Sequence, residues 1–108
     1  MSEYVFTLPT VPPSVNNAYF NFSNGKGRGL TSMAKNWKAA ASMLLHLQAR
    51  NKNLKRIESN CEAVYTFENS MRGDLDNRVK LLQDALEKSG IVSNDKLICK
   101  TTTLRGNV

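Results

Sequence analysis

Between Thr31 and Asn51 apolar residues recur at helical spacing. Met33, Trp37, Ala40, Ala41, Leu44, Leu45 and Leu47 form one stripe, and Thr31 or Ser32 stands before it as N-cap. A helix of that length runs about 30 Å, the width of a small domain. A chain of 108 residues buries one modest core and has no length for a second domain, so the remaining elements must pack on this helix. We therefore expect one domain over residues 1–108.

The other segments carry shorter patterns. Glu3 to Leu8 alternates as a strand does and stops at Pro9; from Pro9 to Asn17 the prolines fix φ and remove amide donors, which predicts a rigid, extended or turning loop. Ala18 to Phe22 suits a short strand, and Ser23 to Gly29 reads as a tip carrying Lys26 and Arg28. Cys61, Ala63, Tyr65 and Phe67 alternate with polar neighbours in a strand around Cys61 to Glu68. Leu75, Val79, Leu82, Ala85 and Leu86 mark a second helix from about Leu75 to Ser89, with Gly90 as its stop, and a last strand is expected from Asp95 through Thr103. The order β, β, α, β, α, β predicts an α/β (α+β) sandwich, a mixed sheet covered by two helices.

Charge is divided unevenly along the chain. The net charge is +6 and the pI near 9.6, which favours a polyanionic partner through counterion release. No acidic residue lies between Glu3 and Glu58, while Lys26, Arg28, Lys35, Lys38, Arg50, Lys52, Lys55 and Arg56 are basic; the other acids fall between Glu58 and Asp95. That asymmetry predicts a basic surface from the first half and a local acidic site in the second. The bland alternative is a solvated helix face with chance clustering. Cys61 and Cys99 lack C-x-x-C spacing and read as reduced core thiols. His46 stands alone on its helix and reads as structural. No stretch reaches membrane-spanning length and no leader pattern opens the chain, so a soluble, intracellular (cytoplasmic) protein is expected.

The chemistry concentrates in one stretch that opens Arg72-Gly-Asp-Leu-Asp-Asn-Arg-Val-Lys80 and continues past Gly90 to Asn94-Asp95. Asp74 and Asp76 straddle Leu75 at a helix entrance, so Leu75 anchors inward while the carboxylates converge outward. Hard cations such as Mg²⁺ favour carboxylate oxygens and keep waters for substrate phosphates. Asp95 returns beyond Gly90 as a candidate third ligand. The competing reading takes the aspartates as helix caps and Asp76, Lys80 and Asp84 as ordinary i, i+4 ion pairs. Asn16 and Asn17 suit phosphate contact or loop capping equally, and Lys26 and Arg28 suit contact with a DNA backbone. Of Tyr19, Phe20 and Phe22, at least two are expected in the core, with stacking on unpaired bases as the alternative; Trp37 reads as core.

These residues resemble the RusA family of Holliday junction resolvases. Its signature runs D-L-D-N, a Lys four residues after the second Asp, D-A-L, Gly and an acidic pair; Pro12-Pro-Ser-Val-Asn-Asn-Ala-Tyr19 is similar to its P-P-S-x-N loop. The resemblance implies a homodimeric, Mg²⁺- or Mn²⁺-dependent endonuclease that nicks four-way DNA junctions symmetrically in recombination and repair, and it admits a phage or prophage origin. Carried over by position, Asp74, Asp76 and Asp95 would be catalytic metal ligands and Lys80 the catalytic lysine. Asn16, Asn17, Lys26, Arg28 and Arg72 are the residues expected on DNA. Two departures stand out. Asn94-Asp95 replaces two adjacent acids, and the family's usual further strand has no counterpart before Val108. They keep open the alternative of a catalytically impaired junction- or DNA-binding module of the same fold.

Overall fold

A computed structural model describes residues 3–23, 25, 27–71, 73 and 75–107. A single helical turn, α1 (Val15–Ala18), leads into an antiparallel hairpin, β1 (Tyr19–Asn21) and β2 (Arg28–Leu30). The long helix α2 spans Ser32–Asn51 behind Thr31, whose hydroxyl accepts from Ala34 N at 3.3 Å. Strand β3 (Cys61–Glu68) follows, then a 3-10 turn (Leu75–Arg78) running into α3 (Val79–Ser89). A second 3-10 turn (Asp95–Leu97) precedes β4 (Ile98–Gly106).

The α/β architecture is as the periodicities predict, but the strands divide. Among the described residues β1 pairs with β2 and β3 pairs in parallel with β4, so the antiparallel and parallel pairings lie in two two-stranded sheets rather than one mixed sheet. The parallel register runs from Cys61 opposite Ile98 to Glu68 opposite Gly106, with a bulge that leaves Cys99 as the extra residue.

Three local expectations change or sharpen. Residues 3–8 form no assigned strand: the Gln48 side-chain amide of α2 takes both polar groups of Thr7, its Oε1 accepting from Thr7 N at 2.8 Å and its Nε2 donating to Thr7 O at 2.6 Å. A side chain thus supplies what a neighbouring strand would have. Asn16 and Asn17 sit in a single helical turn within what the prolines predict as a rigid, extended or turning loop, closed by Asn17 N and Ala18 N donating to Ser14 O. The last strand starts after Asp95–Leu97 and continues to Gly106.

Two apolar clusters fill the interior. Ala41, Leu45 and Ala49 of α2 meet Ala85, Ile91 and Val92, with Trp37, Ile57, Cys61 and Ile98 at the margin. Ala18, Ala34 and Leu81 form the second cluster, and Trp37 touches both. Ala34 and Leu81 lie at the N-terminal ends of their helices, while His46 Nδ1 meets Ser89 O at 3.2 Å near the C-terminal ends. α2 and α3 therefore run in the same direction. His46 acts structurally as expected, tying the two helices together. Gly90, at φ +87, ends α3 in the left-handed conformation that glycine adopts without strain. Cys61 is half-buried, but Cys99 is exposed because the bulge turns it out of the core, so only one thiol matches the core reading.

Candidate active site

Asp76 is exposed in the 3-10 turn, and its Oδ1 accepts from Thr103 Oγ1 of β4 at 3.3 Å. Lys80 follows one turn later at the start of α3, with Nζ 3.2 Å from Asp84 Oδ1. The Lys80 side chain is 60% exposed and that of Asp84 only 23%, so the carboxylate is the fixed partner and the ammonium the projecting one. The hydrogen bond from Asp84, then its charge, hold the Lys80 pKa above the ordinary range; partial burial opposes them, and Tyr19 and Asp95 add to the rise. Lys80 is thus a cation at neutral pH. The turn that opens with Asp95 packs against α3, the helix that carries Lys80.

Asp95 is half-buried at the start of its 3-10 turn, where its N–H donates to Glu87 Oε1 at 3.1 Å. Asn94 serves as the cap of that turn, its Oδ1 accepting from Lys96 N at 2.9 Å. The ion-pair reading is therefore correct for Lys80 and Asp84; Asn94 caps the Asp95–Leu97 turn, and the cap reading of Asp74 falls outside the described residues. Asp74, Arg72 and Lys26 lie outside the described residues.

Asn16 and Asn17 are both exposed, and Asn17 O accepts from Thr31 Oγ1 at 3.0 Å. Thr31 thereby caps α2 and pins the asparagine turn to its start. Arg28 stacks over Tyr19, its Cζ 4.8 Å from the ring centroid. Tyr19 is half-buried against the second cluster, yet Phe20 and Phe22 are 46% and 44% exposed, with centroids 5.5 Å apart at 85°. The expectation that two of these three rings are core is corrected: a three-residue strand in a two-stranded hairpin has no layer to bury them.

Sequence reasoning missed two arginines. Arg78 donates from Nη1 to Pro12 O, which anchors the fully buried Pro12 and its loop to the acidic motif. Arg105 donates from Nε to Met71 O at 2.8 Å and from Nη2 to Gly73 O. All three partners are backbone carbonyls, 66, 34 and 32 residues away, and no local pattern announces such contacts.

The donor chemistry suits a hard divalent cation, because Asp76 and Asp95 offer only oxygen and both reach solvent. Among the described residues no three His, Cys, Asp or Glu side chains gather as a metal-holding group, and Asp74 is outside that set. No helix among the described residues is long and apolar enough to cross a membrane.

Comparison with known proteins converges on one family. Residues 9–106 match the family described as Endodeoxyribonuclease RusA. The chain is 29% identical over 105 residues to the crossover junction endodeoxyribonuclease RusA of Aquifex aeolicus (strain VF5), across 97% of this chain and 82% of that relative. The match spans the proline loop, the acidic turn, Lys80 and Asp95 together, and the chain therefore belongs to the RusA family of endodeoxyribonucleases.

Proposed function

We propose that this chain is a Mg²⁺-dependent endonuclease that resolves four-way (Holliday) DNA junctions in recombination and repair, nicking two strands symmetrically as a homodimer. The observation that carries the reading is Lys80, one helical turn from Asp76 with its Nζ held 3.2 Å from Asp84 Oδ1 and projecting into solvent. Bound to the carboxylates of Asp74, Asp76 and Asp95, Mg²⁺, or Mn²⁺ in its place, would polarise the scissile phosphate and acidify an attacking water. Lys80 offsets charge that develops on the phosphate oxygens. Asp84 aims the ammonium while leaving most of it in solvent. Arg28, Lys26, Arg72 and the Asn16–Asn17 turn supply backbone contacts, and Phe20 and Phe22 offer faces to unpaired bases at the crossover. Symmetric nicking requires two centres related by a two-fold axis, which a homodimer supplies.

Cleavage of a labelled four-way junction tests the reading. Asp76→Asn and Asp95→Asn should abolish Mg²⁺-dependent nicking while binding in chelator is retained or tightened, since one repulsive charge is removed. Lys80→Ala should still bind metal but cleave slower by a factor on the order of a hundred. Full cleavage by Asp76→Asn would overturn the mechanism, and a monomer in sedimentation with and without junction would overturn the dimer. One observation favours a second reading, a junction-binding module without catalysis: Asn94 Oδ1 is engaged as a cap where the family signature has an acid. Tight junction binding with no nicking in Mg²⁺ or Mn²⁺ would select it.

A further inference from the structure

Alternate residues at the end of β4 reach, one after another, along the segment that enters the acidic motif. Asn107 Oδ1 accepts from Asn69 Nδ2 at 2.8 Å, Arg105 bridges Met71 O and Gly73 O, and Thr103 Oγ1 donates to Asp76 Oδ1 at 3.3 Å. The two segments are laced in opposite directions, 107, 105, 103 against 69, 71–73, 76. Side chains two apart on a strand share a face. Here that face is set by the register: Thr103 lies opposite Tyr65 and Arg105 opposite Phe67, the buried residues of β3. The face that packs inward along most of the sheet therefore continues, at its end, as a polar ladder for the loop.

We propose that Arg105 is a positioning residue of the nuclease centre: bridging the carbonyls of Met71 and Gly73, it fixes the turn from which the D-L-D motif departs. Two points make arginine suited to this place. A planar guanidinium presents donors in a fixed fork and spans two carbonyls at once, whereas a lysine ammonium is a single flexible point. Gly73 also sits at φ +92, a conformation that glycine adopts without strain, and its carbonyl takes an Arg105 donor in place of a regular ladder partner. Thr103 completes the ladder at the carboxylate itself, orienting Asp76 as an outer hydrogen bond orients a metal ligand. Ligand carboxylates are useful only when their loop is already ordered, because any ordering left for the metal to do subtracts from its affinity.

The effect on metal rests on the function proposed above, whereas the ladder itself does not, and the experiment separates the two. Arg105→Lys, Arg105→Gln and Thr103→Val are compared with the parent chain in three measurements: Mn²⁺ binding by electron paramagnetic resonance without DNA, the Mg²⁺ concentration for half-maximal junction cleavage, and amide hydrogen exchange. The Arg105 variants should bind Mn²⁺ about 10-fold more weakly, need correspondingly more Mg²⁺, and exchange faster over residues 69–76 while α2 and α3 stay protected. Thr103→Val keeps a strand-compatible shape and should weaken Mn²⁺ without unfolding the chain, which preserves the test if the Arg105 variants fold poorly. Unchanged exchange over 69–76 together with unchanged Mn²⁺ affinity would overturn the proposal and leave Arg105 a surface contact. If the parent chain binds no Mn²⁺, the metal reading fails, and hydrogen exchange alone then decides the role of Arg105.

Discussion

Tyr65 and Lys80 show how one residue's surroundings set its charge. The Tyr65 hydroxyl is buried without a hydrogen-bond partner among the described residues, and burial pushes its pKa up to about 12. Gln83 offsets part of that rise without a well-formed hydrogen bond, and Cys61 adds slightly to it. The folded chain thus prefers the neutral phenol more than the unfolded chain does. Its contribution is fully present below the unfolded value near 10 and is lost as pH rises toward about 12. Tyr65→Phe should raise stability by about 1 kcal/mol, by removing an unsatisfied buried group, and should flatten the loss of melting temperature above pH ~10. A variant that melts lower at neutral pH would show that the hydroxyl has a partner after all. For Lys80 the same reasoning predicts that Asp84→Asn lowers the ammonium's pKa, visible by NMR of the Nζ-bearing carbon, because the hydrogen bond and charge that raise it are weakened together. Asp76, Lys80 and Asp95 stand out in the sequence through the resemblance of their stretch to the RusA signature, because spacing alone reads equally as caps and ion pairs, and the Lys80–Asp84 pair is such a contact. Arg78 and Arg105 do not, because a side chain that serves distant carbonyls leaves no trace in its own neighbourhood.

The long elements were legible for a different reason. α2 over Ser32–Asn51 and β3 over Cys61–Glu68 repeat their apolar period many times against one core, so the bounds follow from the residues alone. Short elements have only one or two periods, and a single contact decides them. The Gln48 amide on Thr7 replaces a strand, and the Ser14 carbonyl draws Asn17 into a helical turn. The β1–β2 hairpin is the clearest case, because its geometry depends on a close approach. A Cβ at Gly29 would lie 2.8 Å from Phe20 Cζ and 3.2 Å from Phe22 Cζ, so any side chain there displaces the aromatic pair. Gly29→Ala should cost about 1 kcal/mol and, if the rings stack on junction bases, weaken junction binding to the extent that Phe20→Ala does. Equal affinity for the parent and both variants would show that the hairpin rings stay off the DNA.

Across the whole molecule the division of charge is the dominant organisation. Arg28, Lys35, Arg50, Lys52, Lys55 and Arg56 are exposed, whereas the acids cluster after Glu58, around the turns that present Asp76 and Asp95. Neutralising Lys26 and Arg28 together should therefore reduce the salt dependence of junction binding by roughly one unit of log–log slope per lost phosphate contact. An unchanged slope would remove the tip from the interface. The common direction of α2 and α3 has an electrical consequence. Every peptide group in the two helices is aligned the same way, and each helix behaves as about half a positive charge at its N-terminus. Those two ends meet where Ala34 packs on Leu81, next to Lys80 and the acidic turns. Side by side, such dipoles repel one another, and the apolar contacts between the helices must overcome that repulsion. In return, the two N-termini add a positive contribution that has no pKa and belongs to no side chain, so it persists when Lys80 is replaced and offsets part of the negative field of the nearby carboxylates.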